Sequence, residues 1–273
     1  MNPPNFSSLS LSLDQGIAEI RLNRPDKSNA MNDAMWQEIR QAFEWVDATP
    51  EARVAILSGA GRNFCAGIDL ALLADIQRRT AHPDGARSRE ALRRLILDMQ
   101  DCLTSVERCR KPVLAAIQGA CIGGALDLVT CCDMRYATAD AIFSVREIDV
   151  GMVADVGTLQ RLPRLIPEGK ARELAFTGRN FLADEGERLG LINRVFASHE
   201  ALTATVHELA QAIAAKSPLA TRGIKEVMNF SRDHSIADGL NFVATWNAAM
   251  LLSDDLSEAI VAQREKRAPR FAD

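Results

Sequence analysis

The sequence has little of several things, and each shortage weighs against a class of function. Its 273 residues include a single tyrosine, and aromatics make up 5%. No aromatics are interleaved with the basic residues and the net charge is -4, so nothing general points to a nucleic-acid partner. The four histidines, His82, His199, His207 and His234, are scattered without the spacing of a metal site. No GxGxxG, Walker or Ser-His-Asp pattern occurs. The six cysteines (Cys65, Cys102, Cys109, Cys121, Cys131, Cys132) form no CxxC pair and have apolar neighbours, which predicts buried thiols in a reducing compartment. The opening MNPPNFSSLSLSLDQG lacks a basic start and a long apolar core, so neither a signal peptide nor a membrane span is expected. The final PRFAD is not a peroxisomal address. Cytoplasm is the expected compartment.

What is present describes a globular protein. Hydrophobic residues make up 47% and charged residues 25%, and no low-complexity tract suggests disorder. The length suits one large domain or one domain with a helical extension. Asp14-Gln15-Gly16 between two apolar runs, Leu9 to Leu13 and Ile17 to Leu22, is a hairpin signal. Met35, Ile39, Ala42, Phe43 and Val46 repeat with helical period behind Asn32, a predicted N-cap. Arg53 to Ser58 and Pro112 to Gln118 read as buried strands, and Val129 to Arg135 as the lead into another. Between Ala71 and Arg94 the chain is polar, Arg-rich and broken by His82-Pro83-Asp84-Gly85, which predicts a mobile excursion before a helix from Ser88 to Cys109. The arginines there (Arg78, Arg79, Arg87, Arg89, Arg93, Arg94), and Arg108, Arg110 and Lys111 beyond, form either a solvated helix face or a phosphate-binding patch. Strands alternating with helices predict an α/β fold with short parallel strands under helices. After His199 the chain reads as all-helical, and its apolar residues on several faces predict burial against another subunit.

Functional chemistry concentrates between Gln118 and Leu162. The pair Gly123-Gly124 opens a predicted helix whose unpaired N–H groups suit a developing negative charge. A small-residue turn, Asn63 to Leu70, offers close backbone approach at Ala66 and Gly67. Asp127, Glu147 and Asp155 lie among apolar residues, an environment that raises carboxyl pKa values. Each acid also has a bland reading. Asp127 could complement a helix dipole, Glu147 could be a strand-end charge like Asp149, and Asp155 could cap a helix from Thr158 to Leu165.

The segments CIGGALDLVTCCDMRY, REIDVGMVADVGTLQRLPRL and SRDHSIADGLNFVATWN resemble the crotonase (enoyl-CoA hydratase/isomerase) superfamily. Within it they look most like the dienoyl-CoA isomerases, which convert 3,5-dienoyl-CoA to 2,4-dienoyl-CoA. The resemblance implies a crotonase-like spiral of ββα turns over residues 1–198 and a C-terminal helical trimerisation region over 199–273. It also implies a homotrimer or a hexamer of two trimers, and an acyl-CoA thioester as the substrate, with coenzyme A part of that substrate and no separate cofactor or metal. Carried over residue by residue, the oxyanion hole falls on the N–H groups of Ala66 and Gly124, with Gly67, Ile68, Asp69 and Gly123 around the substrate. Asp127 and Glu147 stand at the hydratase glutamate positions, and Asp155 stands where hydratases usually carry glycine. On the isomerase pattern Glu147 acts near the thioester, Asp155 at the distal end, and Asp127 supports them. The alternatives are hydration of a 2-enoyl-CoA, which the shorter Asp127 weakens, and a non-catalytic RNA-binding relative.

Overall fold

The computed structural model describes residues 3–273; the first two residues of the expected 1–198 core lie outside the described residues. The opening hairpin forms as expected, β1 (Leu9–Asp14) antiparallel to β2 (Ile17–Leu22). Helix α1 (Asp33–Ala48) follows, and the Asn32 side chain accepts from Met35 N. The strands β3 (Val54–Gly59), β4 (Val113–Ile117), β6 (Met134–Thr138) and β9 (Arg194–Phe196) then join β2 in parallel, giving a six-stranded sheet in the order β1-β2-β3-β4-β6-β9. A smaller sheet holds β5 (Ala120–Ile122), β7 (Ile142–Ser144) and β8 (Phe181–Leu182).

The unbroken apolar character of the central strands has a direct cause, which is burial on both faces. In β3, Ala55 and Leu57 enter the core that α1 covers, while Val54 and Ile56 enter a second core on the other face. Helix α8 (His199–Ala214) closes that second core with Leu202, Val206 and Ala210. The region expected to leave the core from residue 199 therefore begins with a core helix. Three helices follow it, α9 (Pro218–Arg232), α10 (Ile236–Met250) and α11 (Asp254–Glu265).

The predicted excursion between Ala71 and Arg94 is mostly helix. It forms α2 (Leu70–Arg79) and the start of α3 (Gly85–Arg108). Its polar composition concealed these helices because α2 has no fully buried residue; caps and charge pairs specify it instead. Asp69 and Asp84 accept from Ala71 N and Ala86 N, caps worth about 1 kcal/mol each. Arg78 pairs with Asp75 and Arg94 with Glu90 along the exposed faces. The segment from Val129 to Arg135 leads from α4 (Gly124–Thr130) into β6, as expected. Three further helices, α5 (Thr158–Leu165), α6 (Glu168–Thr177) and α7 (Ala183–Leu189), add Leu162, Ala171, Leu174 and Ala183 to the first core.

Candidate active site

The site lies where two extended segments meet at the C-terminal ends of β3 and β4. Cys65 N donates to Ala120 O at 2.8 Å and Ile122 N to Cys65 O at 3.1 Å, which ties the Asn63 to Leu70 turn to β5. Its other edge is clasped by residues 28–31. Met31 N donates to Gly67 O, and Asp69 N donates to Met31 O. Asn29 is fully buried in a left-handed conformation (φ 54°) that asparagine tolerates. Its Nδ2 donates to Ala60 O, Asn63 O and Phe64 O. Sequence reading missed this clasp; its one signal was a Pro-Asp-Lys-Ser-Asn run too polar for either neighbouring element.

These bonds correct one expected oxyanion donor. Ala66 N already donates to Ser28 O at 2.9 Å, so it is not free to bind a substrate oxygen. Ile68 lies opposite Met31 in a parallel bridge, and Met31 bonds the residues on either side of it. The N–H of Ile68 consequently points away from Met31, toward the segment that carries Gly124. Gly67 (φ 93°) makes the turn between them, and a Cβ built on it would lie 3.6 Å from Gly124 N. Neither Ile68 N nor Gly124 N finds an acceptor among the described residues. Asp69 has both side-chain oxygens engaged, one capping α2 and one on Arg24 Nη1 at 2.9 Å, so it shapes the turn and offers no free carboxylate. Gly123 (φ 55°) leaves room for the Glu147 carboxyl, which would lie 3.3 Å from a Cβ there.

The structure brings all three acids together. Asp127, on α4, is fully buried. Its Oδ1 accepts from Thr158 N at 2.5 Å, so Asp127 holds the N-terminus of α5, the place that the bland reading would have given to Asp155. Burial raises its pKa, opposed by the bonds from Thr158. Glu147 sits on a 3₁₀ turn, Arg146–Val150, and its pKa is pushed up to about 7, first by burial and then by the charge of Asp127. Asp127 Oδ2 and Glu147 Oε2 are both buried without a hydrogen-bond partner among the described residues. Asp155 is half-buried, its pKa raised by that burial, and it lies close enough that its ionised form would raise the pKa of both other acids. Asp149 instead pairs with Arg146 at the surface.

Such a set can exchange protons with an apolar substrate while two backbone donors face a developing oxyanion. The enoyl-CoA hydratase/isomerase family model matches residues 12–273. The chain belongs to this family. The peroxisomal delta(3,5)-delta(2,4)-dienoyl-CoA isomerase of Arabidopsis thaliana is 49% identical over 260 residues, covering 95% of this chain and 94% of that protein. The mitochondrial isomerase of Homo sapiens is 44% identical, covering 94% of this chain and 78% of that protein. Among solved structures, an enoyl-CoA hydratase from Bacillus anthracis superposes with a TM-score of 0.87 at 30% identity, covering 97% of this chain and 99% of that one.

All six cysteines are free and buried. The arginine-rich stretch is largely paired in place: Arg79 with Asp33, Arg87 with Asp84, Arg108 with Asp101 and Arg110 with Asp47. Lys111 is buried, donating to three backbone oxygens at the end of α1. Among the described residues no cluster of His, Cys, Asp or Glu could hold a metal ion, and no helix is long and apolar enough to cross a membrane.

Proposed function

We propose that the protein is a dienoyl-CoA isomerase that moves the double bonds of a 3,5-dienoyl-CoA to the 2,4 positions. The observation that carries this reading is the third acid, Asp155, half-buried beside the Asp127–Glu147 pair. A hydratase needs two carboxylates pinning one water, whereas a double-bond shift needs acids at both ends of a conjugated chain. Ionised Glu147 takes the proton from C2, next to the thioester. The electron pair spreads through the diene onto the thioester oxygen, where the N–H groups of Ile68 and Gly124 receive it. Losing one such donor costs about 3 kcal/mol in other enzymes. Protonated Asp155 delivers a proton to C6, and the double bonds settle at C2 and C4. Asp127 leaves a negative charge beside Glu147, which keeps Glu147 basic enough for the abstraction. Coenzyme A enters as part of the substrate, and no step calls on a separate cofactor.

An ultraviolet assay separates this reading from hydration. With 3,5-octadienoyl-CoA, absorbance rises as the diene comes into conjugation with the carbonyl; with crotonyl-CoA, hydration lowers it. The expected result is fast turnover of the first and little of the second. The reverse pattern makes the protein a hydratase, and inactivity toward both overturns either enzymatic role.

A trimer, or a hexamer of two trimers, is proposed on the exposed apolar residues of α9 and α10. Ile224, Met228, Ile236 and Leu240 each expose more than half their surface. Contiguous apolar surface of that kind is rare on monomers. Light scattering is expected to give three or six chain masses; one chain mass in dilute solution refutes the assembly. The names of the relatives place them in peroxisomes or mitochondria. Free buried thiols suit any reducing compartment, and cytoplasm is the proposal that imaging of a tagged full-length chain tests.

A further inference from the structure

Helix α3 reaches the acid cluster from a side that no part of the mechanism above uses. Gln100, Thr104 and Glu107 are spaced four and three residues apart and share one face of the helix. Gln100 Nε2 donates to the backbone carbonyl of Asp155 at 2.6 Å. Thr104 Oγ1 accepts from Arg161 Nη2 at 3.2 Å, and Glu107 Oε2 accepts from Arg161 Nε and Nη2 at 2.9 and 2.7 Å. Asp155 and Arg161 bracket the entry into α5. One helix face therefore grips this segment at both ends.

Ala154 and Val156, on either side of Asp155, are packed into the core, but packing alone does not fix the rotation of the peptide between them, which Gln100 holds by its carbonyl. Residues 153–157 form neither helix nor strand, and Gly157 sits at φ 135°, a conformation that side chains rarely adopt. The Arg161 end is bound redundantly, by two residues of α3. At the Asp155 end, Gln100 is the donor that the described residues supply to the carbonyl. A shift of about 1 Å in a reacting group can cost on the order of 10²-fold in rate.

We infer that Gln100 is a positioning residue for Asp155, setting where the distal proton is delivered without touching the substrate. This inference rests on the isomerase reading. It assigns Gln100 to one half of the reaction only, because proton removal at C2 depends on Glu147, Ile68 and Gly124.

That asymmetry supplies the test. In D₂O, abstraction at C2 followed by return exchanges the C2 hydrogen of 3,5-octadienoyl-CoA for deuterium, which mass spectrometry of recovered substrate reads separately from product formation. Gln100→Met keeps the length and removes the donor. It is expected to slow isomerisation roughly 10- to 100-fold, with exchange changed by less than about threefold, KM held and the melting temperature nearly unchanged. Gln100→Lys, which restores a donor, is expected to recover most of the rate. The inference is overturned if exchange and isomerisation fall together, or if neither falls. Wild-type protein that never converts the dienoyl substrate sinks the isomerase reading itself, a result the variants do not mimic.

Discussion

Asp155→Asn is expected to lower kcat for the 3,5 to 2,4 conversion by about 10²- to 10⁴-fold, the range for removal of a general acid. The substitution is nearly isosteric and leaves the backbone carbonyl that Gln100 holds. It removes only the proton. Burial favours the protonated carboxyl at Asp155, and an amide in its place has nothing to give to C6. Binding is governed elsewhere, so KM should change little. Deuterium exchange at C2 should survive in this variant, since it needs Glu147 and the oxyanion donors alone. That exchange carries its own pH signature. Glu147 acts as a base only when ionised, and burial with the neighbouring Asp127 charge pushes its pKa up to about 7. Exchange should therefore rise as pH passes through about 7 and level off above it. Unchanged turnover in Asp155→Asn removes the distal acid from the mechanism; loss of exchange as well shows a site that has come apart.

Much of this architecture was legible in the residues. The hairpin at Asp14-Gln15-Gly16, the Asn32 cap and the doubly buried strands all follow from local pattern, and each appears where the pattern puts it. What could not be read is direction and distant partnership. Ala66 and Ile68 are two residues apart in one small-residue turn, and composition cannot say which N–H faces Ser28 and which faces β5. Only the clasp by residues 28–31 and the left-handed Gly67 decide it. Asp127 was legible as an acid on a short helix, but the helix it caps, α5, begins 31 residues later. Gln100 donates across 55 residues, and a glutamine in the middle of a polar helix gives no signal of that. In the stretch between Ala71 and Arg94, helices held by caps and ion pairs show no buried stripe for periodicity to detect.

The turn at Gly67 gives the other large effect. Gly67→Ala is expected to reduce kcat by about 10²- to 10³-fold, the loss associated with one oxyanion donor, while Gly124→Ala costs far less. Both glycines border the same pair of N–H groups, so the difference must come from what an added methyl meets. At Gly67 it lies 2.6 Å from Ile122 O, a backbone atom in β5. Ile122 is itself fixed through its N–H on Cys65 O, so that strand cannot yield cheaply. The φ of 93° adds strain of about 1 to 3 kcal/mol for a side-chain-bearing residue. Relief comes by moving residues 66–68 off β5 or by rotating φ at 67, and either motion turns Ile68 N–H away from Gly124. At Gly124 the methyl instead meets Met31 Cε at 2.7 Å, the free end of a flexible side chain, with no positive φ to strain. Steady-state kinetics on the two variants, with melting temperatures to separate site damage from global loss, reads the comparison directly. A Gly67→Ala enzyme within about threefold of wild type would show that Ile68 is not the donor its backbone direction assigns.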